Sequence, residues 1–195
     1  MRRICVFTGS NPGNRSAYTE AAQALGLAMV ERGLGLVYGG ASVGLMGVIA
    51  DTVLAGGGEA IGVIPRNLFR SEVGHGGLTQ LLEVNSMHER KALMADLADG
   101  FIALPGGYGT FDELFEIITW AQLGLHTKPV GLLDVAGYFA PLLALITHAS
   151  TEGFIPAKHA HIVLHEESPV ALLERFAAYH PTIDTNKWSE LPPER

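Results

Sequence analysis

A chain of 195 residues has room for one domain with a sizeable core. Its net charge of −7 at pH 7 argues against general binding to nucleic acid or to an anionic membrane, since both need a basic surface. Apolar residues make up 48% and charged residues only 17%, a balance that predicts a parallel sheet covered on both faces or an oligomer interface.

Ile4 to Thr8 is a short continuous apolar run, the pattern of a central parallel strand. It holds Cys5, the one cysteine, so no intrachain disulfide can form and a reducing, cytoplasmic setting is expected. Arg2 and Arg3 resemble the charged start of a signal peptide. The apolar run after them is too short for one, and no run is long enough to span a bilayer.

A glycine turn, Gly9 to Asn14, follows, with Ser16 as the expected cap of a helix from about Ala17 to Arg32. Leu34 to Tyr38 is the second strand. A second glycine turn, Gly39 to Gly44, leads to an apolar helix from Leu45 to Leu54. Ala60 to Ile64 is the third strand, stopped by Pro65. Arg66 to Gly77 reads as a surface loop, with a lid over a site as the alternative.

Leu81 to Val84 reads as a fourth strand, and Met87 to Leu97 as a helix that opens with Arg90 and Lys91. Two cations at a helix start oppose its dipole, which suggests an anionic partner. A solvated helix start is the plainer alternative. The remaining strands are expected at Phe101–Leu104, Pro129–Leu133 and His161–Leu164, and further helices at Tyr138–Ser150 and Ser168–Tyr179. The alternation predicts an α/β fold, a doubly wound, mostly parallel sheet of about seven strands with helices on both faces. Residues 1–180 are expected to form one domain, with 181–195 a loosely structured tail. Such a sheet gathers its glycine turns at the carboxyl ends of the strands.

The most informative stretch is Pro105-Gly106-Gly107-Tyr108-Gly109-Thr110-Phe111-Asp112-Glu113. An apolar strand leads in and an amphipathic helix leads out. Its glycines permit close approaches that a Cβ would block. Thr110 suits an N-cap, with Glu113 three residues later completing a capping box. Free amides at a helix start favour a phosphate. Asp112 and Glu113 then put carboxylates within a turn of that anion site, which points to chemistry on a phosphorylated small molecule. Glu113 acting only as a cap is the competing account.

Other nucleotide chemistries fit less well. The first turn reads Gly9-Ser10-Asn11-Pro12-Gly13 rather than G-x-G-x-x-G, and no acidic residue closes the second strand. There is no P-loop and no G-x-S-x-G serine elbow. The eight histidines are scattered and suggest no metal site.

Met87-His88-x-Arg90-Lys91, followed by Pro105-Gly106-Gly107-x-Gly109-Thr110-x-x-Glu113, resembles the LOG family, the cytokinin riboside 5′-monophosphate phosphoribohydrolases. Gly39-Gly40, Gly44-Leu45-Met46-Gly47 and Thr119-Trp120-Ala121-Gln122-Leu123-Gly124 resemble it as well, and the likeness runs from about Ile4 to Leu173. Members are often labelled lysine decarboxylases. That label implies pyridoxal phosphate, for which this chain shows no motif.

The resemblance implies a Rossmann-like homodimer with no metal or redox cofactor. It implies hydrolysis of an adenosine 5′-monophosphate, often N6-substituted, to the base and ribose 5-phosphate. Arg90 and Glu113 match the catalytic pair. Gly107, Tyr108, Gly109 and Thr110 match the phosphate and ribose cradle. Met87, His88 and Lys91 match pocket positions, and Glu72 and Thr119 match further nucleotide contacts. Ser10, Gly40, Gly106, Phe111 and Asp112 complete the candidate binding set.

The rival readings are a nucleotide- or cofactor-binding module without catalysis, a phosphoribohydrolase of other base specificity, and a non-enzymatic assembly protein.

Overall fold

The computed structural model describes residues 1–66 and 74–181. Seven strands form one sheet: β1 (Arg3–Phe7), β2 (Gly35–Tyr38), β3 (Ala60–Pro65), β4 (Gln80–Val84), β5 (Gly100–Ala103), β6 (Val130–Leu133) and β7 (Val163–Glu166). The strand order is β4-β3-β2-β1-β5-β6-β7, and every pairing of these strands is parallel. The sheet is thus wholly parallel where the sequence predicts a mostly parallel one. β1, β2, β3, β5 and β6 are buried almost throughout, which explains why they read as unbroken apolar runs.

Among the described residues six α-helices cover the sheet: α1 (Ser16–Glu31), α2 (Gly44–Ala55), α3 (Met87–Leu97), α4 (Tyr108–Gln122), α5 (Ala140–Thr151) and α6 (Pro169–Ala177). Leu25 and Met29 of α1, Leu45 and Ile49 of α2, and Leu172 and Phe176 of α6 fill one face. Met94 of α3 and Leu114 and Ile117 of α4 fill the other, joined by Phe139. Burying both faces requires apolar residues in three layers, which accounts for the apolar composition without invoking a second domain. Among the described residues no helix is long and apolar enough to cross a membrane.

Several boundaries differ from the sequence expectation. Ser16 is the first residue of α1 rather than its cap, and Arg15 holds the cap position without a side-chain bond. A short 3-10 helix at Ala157–His159 was not foreseen, and β7 starts at Val163 rather than His161. The expected lid or loop falls largely on residues 67–73, and most of the expected tail on 182–195, outside the described residues.

The chain runs outward from β1 through β2 and β3 to β4, then returns to lay β5 on the other side of β1. The connections after β1 and β5 therefore diverge in opposite directions. A crevice opens at such a switch point, beyond the carboxyl ends of the two strands.

Candidate active site

The crevice is a cleft of about 550 Å³, a size suited to a nucleotide. All three glycine turns reach it. Gly9, Ser10 and Asn11 come from the turn after β1, Gly39, Ala41 and Val43 from the turn after β2, and Gly107, Tyr108, Gly109 and Thr110 from the turn and helix start after β5. Met46, Ile64 and Pro65 give one side an apolar surface.

Helix α4 starts earlier than the sequence suggests. Gly107 holds the N-cap position and Thr110 is the third helical residue, so the expected Thr110–Glu113 capping box does not form. The close approach at Gly106 explains the shift. A Cβ there would lie 2.1 Å from Thr110 Oγ1 and 2.8 Å from the Gly9 amide, so only glycine lets the turn fold back onto the helix. The first helical hydrogen bond runs from the Phe111 N–H to the Gly107 carbonyl. The amides of Tyr108, Gly109 and Thr110 precede it, at the positive end of a 15-residue helix.

Glu113 sits one turn into α4 and lines the cleft. Arg90, one turn into α3, meets it with Nη1 3.0 Å from Oε1. Arg90 Nε also donates to the Val63 carbonyl of β3 at 3.1 Å. The guanidinium passes over Gly39, where a Cβ would lie 2.2 Å from Nη2. Burial pushes the Glu113 carboxyl up from its ordinary range. Asp112 adds to that rise, while Arg90 and Lys91 oppose it.

Lys91 takes a different direction from Arg90. Consecutive helical residues diverge by about 100°, so both cannot face the cleft. Lys91 Nζ lies 3.0 Å from Asp112 Oδ2 and 3.1 Å from Glu116 Oε1, joining α3 to α4. Burial alone would lower this ammonium, but the two carboxylates raise it above its ordinary value.

At the start of α3 Ser86 caps the helix, and Glu89 reaches one residue further back than in a full capping box. The Glu89 N–H donates to Ser86 Oγ at 3.1 Å, and Glu89 accepts from the Asn85 N–H at 2.8 Å. The spacing Ser86-x-x-Glu89 carried that signal in the sequence.

The family profile described as "Possible lysine decarboxylase" matches residues 46–176. A probable cytokinin riboside 5′-monophosphate phosphoribohydrolase of Oryza sativa subsp. japonica is 54% identical, with 91% of this chain and 79% of the relative covered. A cytokinin riboside 5′-monophosphate phosphoribohydrolase of Arabidopsis thaliana is 49% identical, over 94% of this chain and 86% of the relative. The chain belongs to the LOG family.

Two solved structures share the fold of this LOG-family chain. The molybdenum cofactor carrier protein of Chlamydomonas reinhardtii superposes with a TM-score of 0.70 at 21% identity, covering 91% of this chain and 99% of that one. A molybdenum cofactor binding protein of Rippkaea orientalis gives 0.69 at 20% identity, over 91% and 96%. The profile's decarboxylase wording parts from the names of the relatives. Identity of about half over nearly the whole chain places this protein with the phosphoribohydrolases rather than with true lysine decarboxylases.

The residues that the LOG resemblance nominates divide in the structure. Ser10, Arg90, Gly107, Tyr108, Gly109, Thr110 and Glu113 line the cleft. Gly106 lines the adjoining cavity, and Gly40, with φ of 78°, lies within the second turn but off the cleft lining. Met87 and His88 are exposed on the first turn of α3, off the cleft lining. Phe111 packs against the core, and Asp112 and Lys91 hold each other. Thr119 bonds back to the Phe115 carbonyl and lines a separate groove beside α5. Glu72 lies outside the described residues.

Gly39 and Met46 line the cleft from motifs quoted for the resemblance, while Thr8, Asn11, Ala41, Val43, Ile64 and Pro65 line it without having been nominated. Their signal was positional, since each lies at or near the carboxyl end of β1, β2 or β3.

Proposed function

We propose that this protein hydrolyses the N-glycosidic bond of adenosine 5′-monophosphates, AMP and N6-substituted cytokinin nucleotides, to the free base and ribose 5-phosphate. The observation that carries this reading is the Arg90–Glu113 pair, buried in the wall of the cleft into which helix α4 turns its N-terminus.

The 5′-phosphate sits against the amides of Gly107, Tyr108, Gly109 and Thr110, where the helix dipole favours an anion. That grip is remote from C1′, so its binding energy serves to place the sugar. Glu113, one turn further along α4, then faces the ribose. Breaking the C1′–N9 bond leaves positive charge on the sugar, as in glycoside cleavage. An ionised Glu113 stabilises that charge and accepts a proton from water as its oxygen bonds to C1′. The departing N9 leaves with the bonding pair and takes up a proton. Arg90 opposes the rise that burial imposes on the Glu113 carboxyl and donates toward the leaving base or the phosphate. The apolar side formed by Val43, Met46, Ile64 and Pro65 accommodates the base.

We further propose that the protein acts as a homodimer. Helix α5 is largely apolar, yet none of its twelve residues is buried. Leu145 on it, Leu125 in the loop after α4 and Phe154 just beyond α5 are 58%, 68% and 82% exposed. Such a surface is what an oligomer interface covers. Light scattering at micromolar concentration is expected to give twice the chain mass, and a monomer would contradict the assignment.

A panel of nucleoside 5′-monophosphates followed by chromatography tests the reaction. Free adenine from AMP, or free base from N6-isopentenyl-AMP, is the expected outcome. Tight nucleotide binding without base release would support a binding module instead. Faster release from pyrimidine nucleotides would support a different base specificity.

A further inference from the structure

We infer that Tyr138 is a positioning residue for the phosphate cradle, aiming the Gly107 amide at the cleft by holding the carbonyl on the other side of the same peptide. The inference rests on the hydrolase reading above and concerns a residue outside the cleft lining.

Tyr138 follows β6 in a tightly tied loop. Asp134, at the end of β6, is only 5% exposed, and its Oδ1 accepts from the Phe139 N–H at 2.8 Å. The Tyr138 N–H donates to the Val135 carbonyl, and the Ala140 N–H to the Gly137 carbonyl. Between them Ala136 takes a φ of 55°, the one described non-glycine residue in the left-handed region. A strained loop of this kind persists where its surroundings hold it, and such strain clusters at functional sites.

What the loop presents is the Tyr138 side chain. Its hydroxyl donates to the Gly106 carbonyl, within the glycine turn between β5 and α4. Its ring packs edge-on against Tyr18 of α1, with centroids 6.0 Å apart. Together the two tyrosines wall a cavity of about 280 Å³ between the first and third glycine turns. Tyr138 therefore grips the turn from the side of this cavity, and Gly107 lines both the cavity and the cleft.

The Gly106–Gly107 peptide is trans, since no cis bond is present among the described residues. In a planar trans peptide the N–H points opposite to the C=O. Fixing the Gly106 carbonyl toward Tyr138 thus turns the Gly107 N–H away from it. The neighbouring Pro105 carbonyl is held in the same way, accepting from the Gly9 N–H and from Thr8 Oγ1. Glycine at 106 and 107 would otherwise let this peptide rotate at little cost. The tyrosine supplies the preorganisation that the glycines give up.

The test compares wild type with Tyr138→Phe, which keeps the ring packing and removes only the hydroxyl. Dissociation constants for ribose 5-phosphate and for adenosine are measured by calorimetry, with KM and kcat for AMP. Losing one orienting hydrogen bond is expected to weaken ribose 5-phosphate about fivefold, with adenosine binding unchanged and KM rising more than kcat falls. Asp134→Ala, which frees the loop from its other end, is expected to show the same split.

Unchanged ribose 5-phosphate binding in Tyr138→Phe would overturn the inference. So would an equal loss for both ligands, which marks a general disturbance of the fold. A wild-type protein that binds no ribose 5-phosphate and releases no base would overturn the hydrolase reading, and this inference with it.

Discussion

Arg90 Nη1 lies 3.0 Å from Glu113 Oε1, and the two side chains are only 11% and 8% exposed. A buried ion pair contributes little net stability, because desolvation offsets most of the attraction. Its presence in the cleft wall is better explained by chemistry. Removing one partner strands the other charge. Glu113→Ala is therefore expected to cost about 3 kcal/mol in unfolding free energy. Denaturant titration checks this, and a cost near zero would mean that water already reaches the pair.

The pH dependence follows from the same pair. Burial raises Glu113, and Arg90 opposes the rise. If the ionised carboxylate is the active form, kcat/KM climbs as pH rises through a value above the ordinary 4.5. Stability moves the other way. The neutral carboxyl is favoured in the fold, so this group's contribution is complete below its unfolded value and is lost as pH rises through the folded one. Arg90→Met removes an opposing charge and should move the acid limb of the rate profile to still higher pH. An acid limb that stays put in that variant would disconnect Arg90 from the ionisation of Glu113.

Gly39 is where the backbone makes room for Arg90. A methyl at this position would fall 2.2 Å from Nη2, so the guanidinium must move. Because the clash is with the end of a flexible side chain, Gly39→Ala is expected to fold with little loss of melting temperature. Displacing the group by about 1 Å is expected to lower kcat/KM roughly a hundredfold. Activity close to wild type would mean that the Arg90 geometry is not critical.

Lys91 is expected to act by holding α3 against α4 rather than by touching substrate. Lys91→Met breaks its contacts with both Asp112 and Glu116. The predicted result is a lower melting temperature, with the AMP KM changed less than about threefold. A large rise in KM at unchanged stability would return Lys91 to the substrate.

The sheet was legible because buried parallel strands are short apolar runs that need no partner to be recognised. The glycine turns told where the crevice would open, since a doubly wound sheet gathers them at one edge. Helix starts were less legible. Thr110 and Glu113 have capping-box spacing, but Gly106 lets the helix begin three residues sooner, and Glu113 turns to Arg90 instead. Arg90 and Lys91 looked alike as neighbours, and only the helical rotation between them separates a cleft residue from a clamp. The grip of Tyr138 on Gly106 spans 32 residues and has no local pattern at all.

Loss of the 5′-phosphate tests the anchor at α4. Adenosine keeps the scissile bond but lacks the group that the helix N-terminus would hold. Its kcat/KM is expected to fall at least a hundredfold below that of AMP. Comparable values would remove the phosphate anchor from the account.

Glu113→Gln is the most direct test of the proposed role of Glu113 in the hydrolysis, since glutamine keeps the shape and removes the charge. Adenine and ribose 5-phosphate released from AMP are measured for both proteins, alongside ribose 5-phosphate binding. Wild type should release the two products in equal amounts. The variant should still bind ribose 5-phosphate while turning over roughly a hundredfold to ten-thousandfold more slowly. Turnover by Glu113→Gln near the wild-type rate would contradict the assignment.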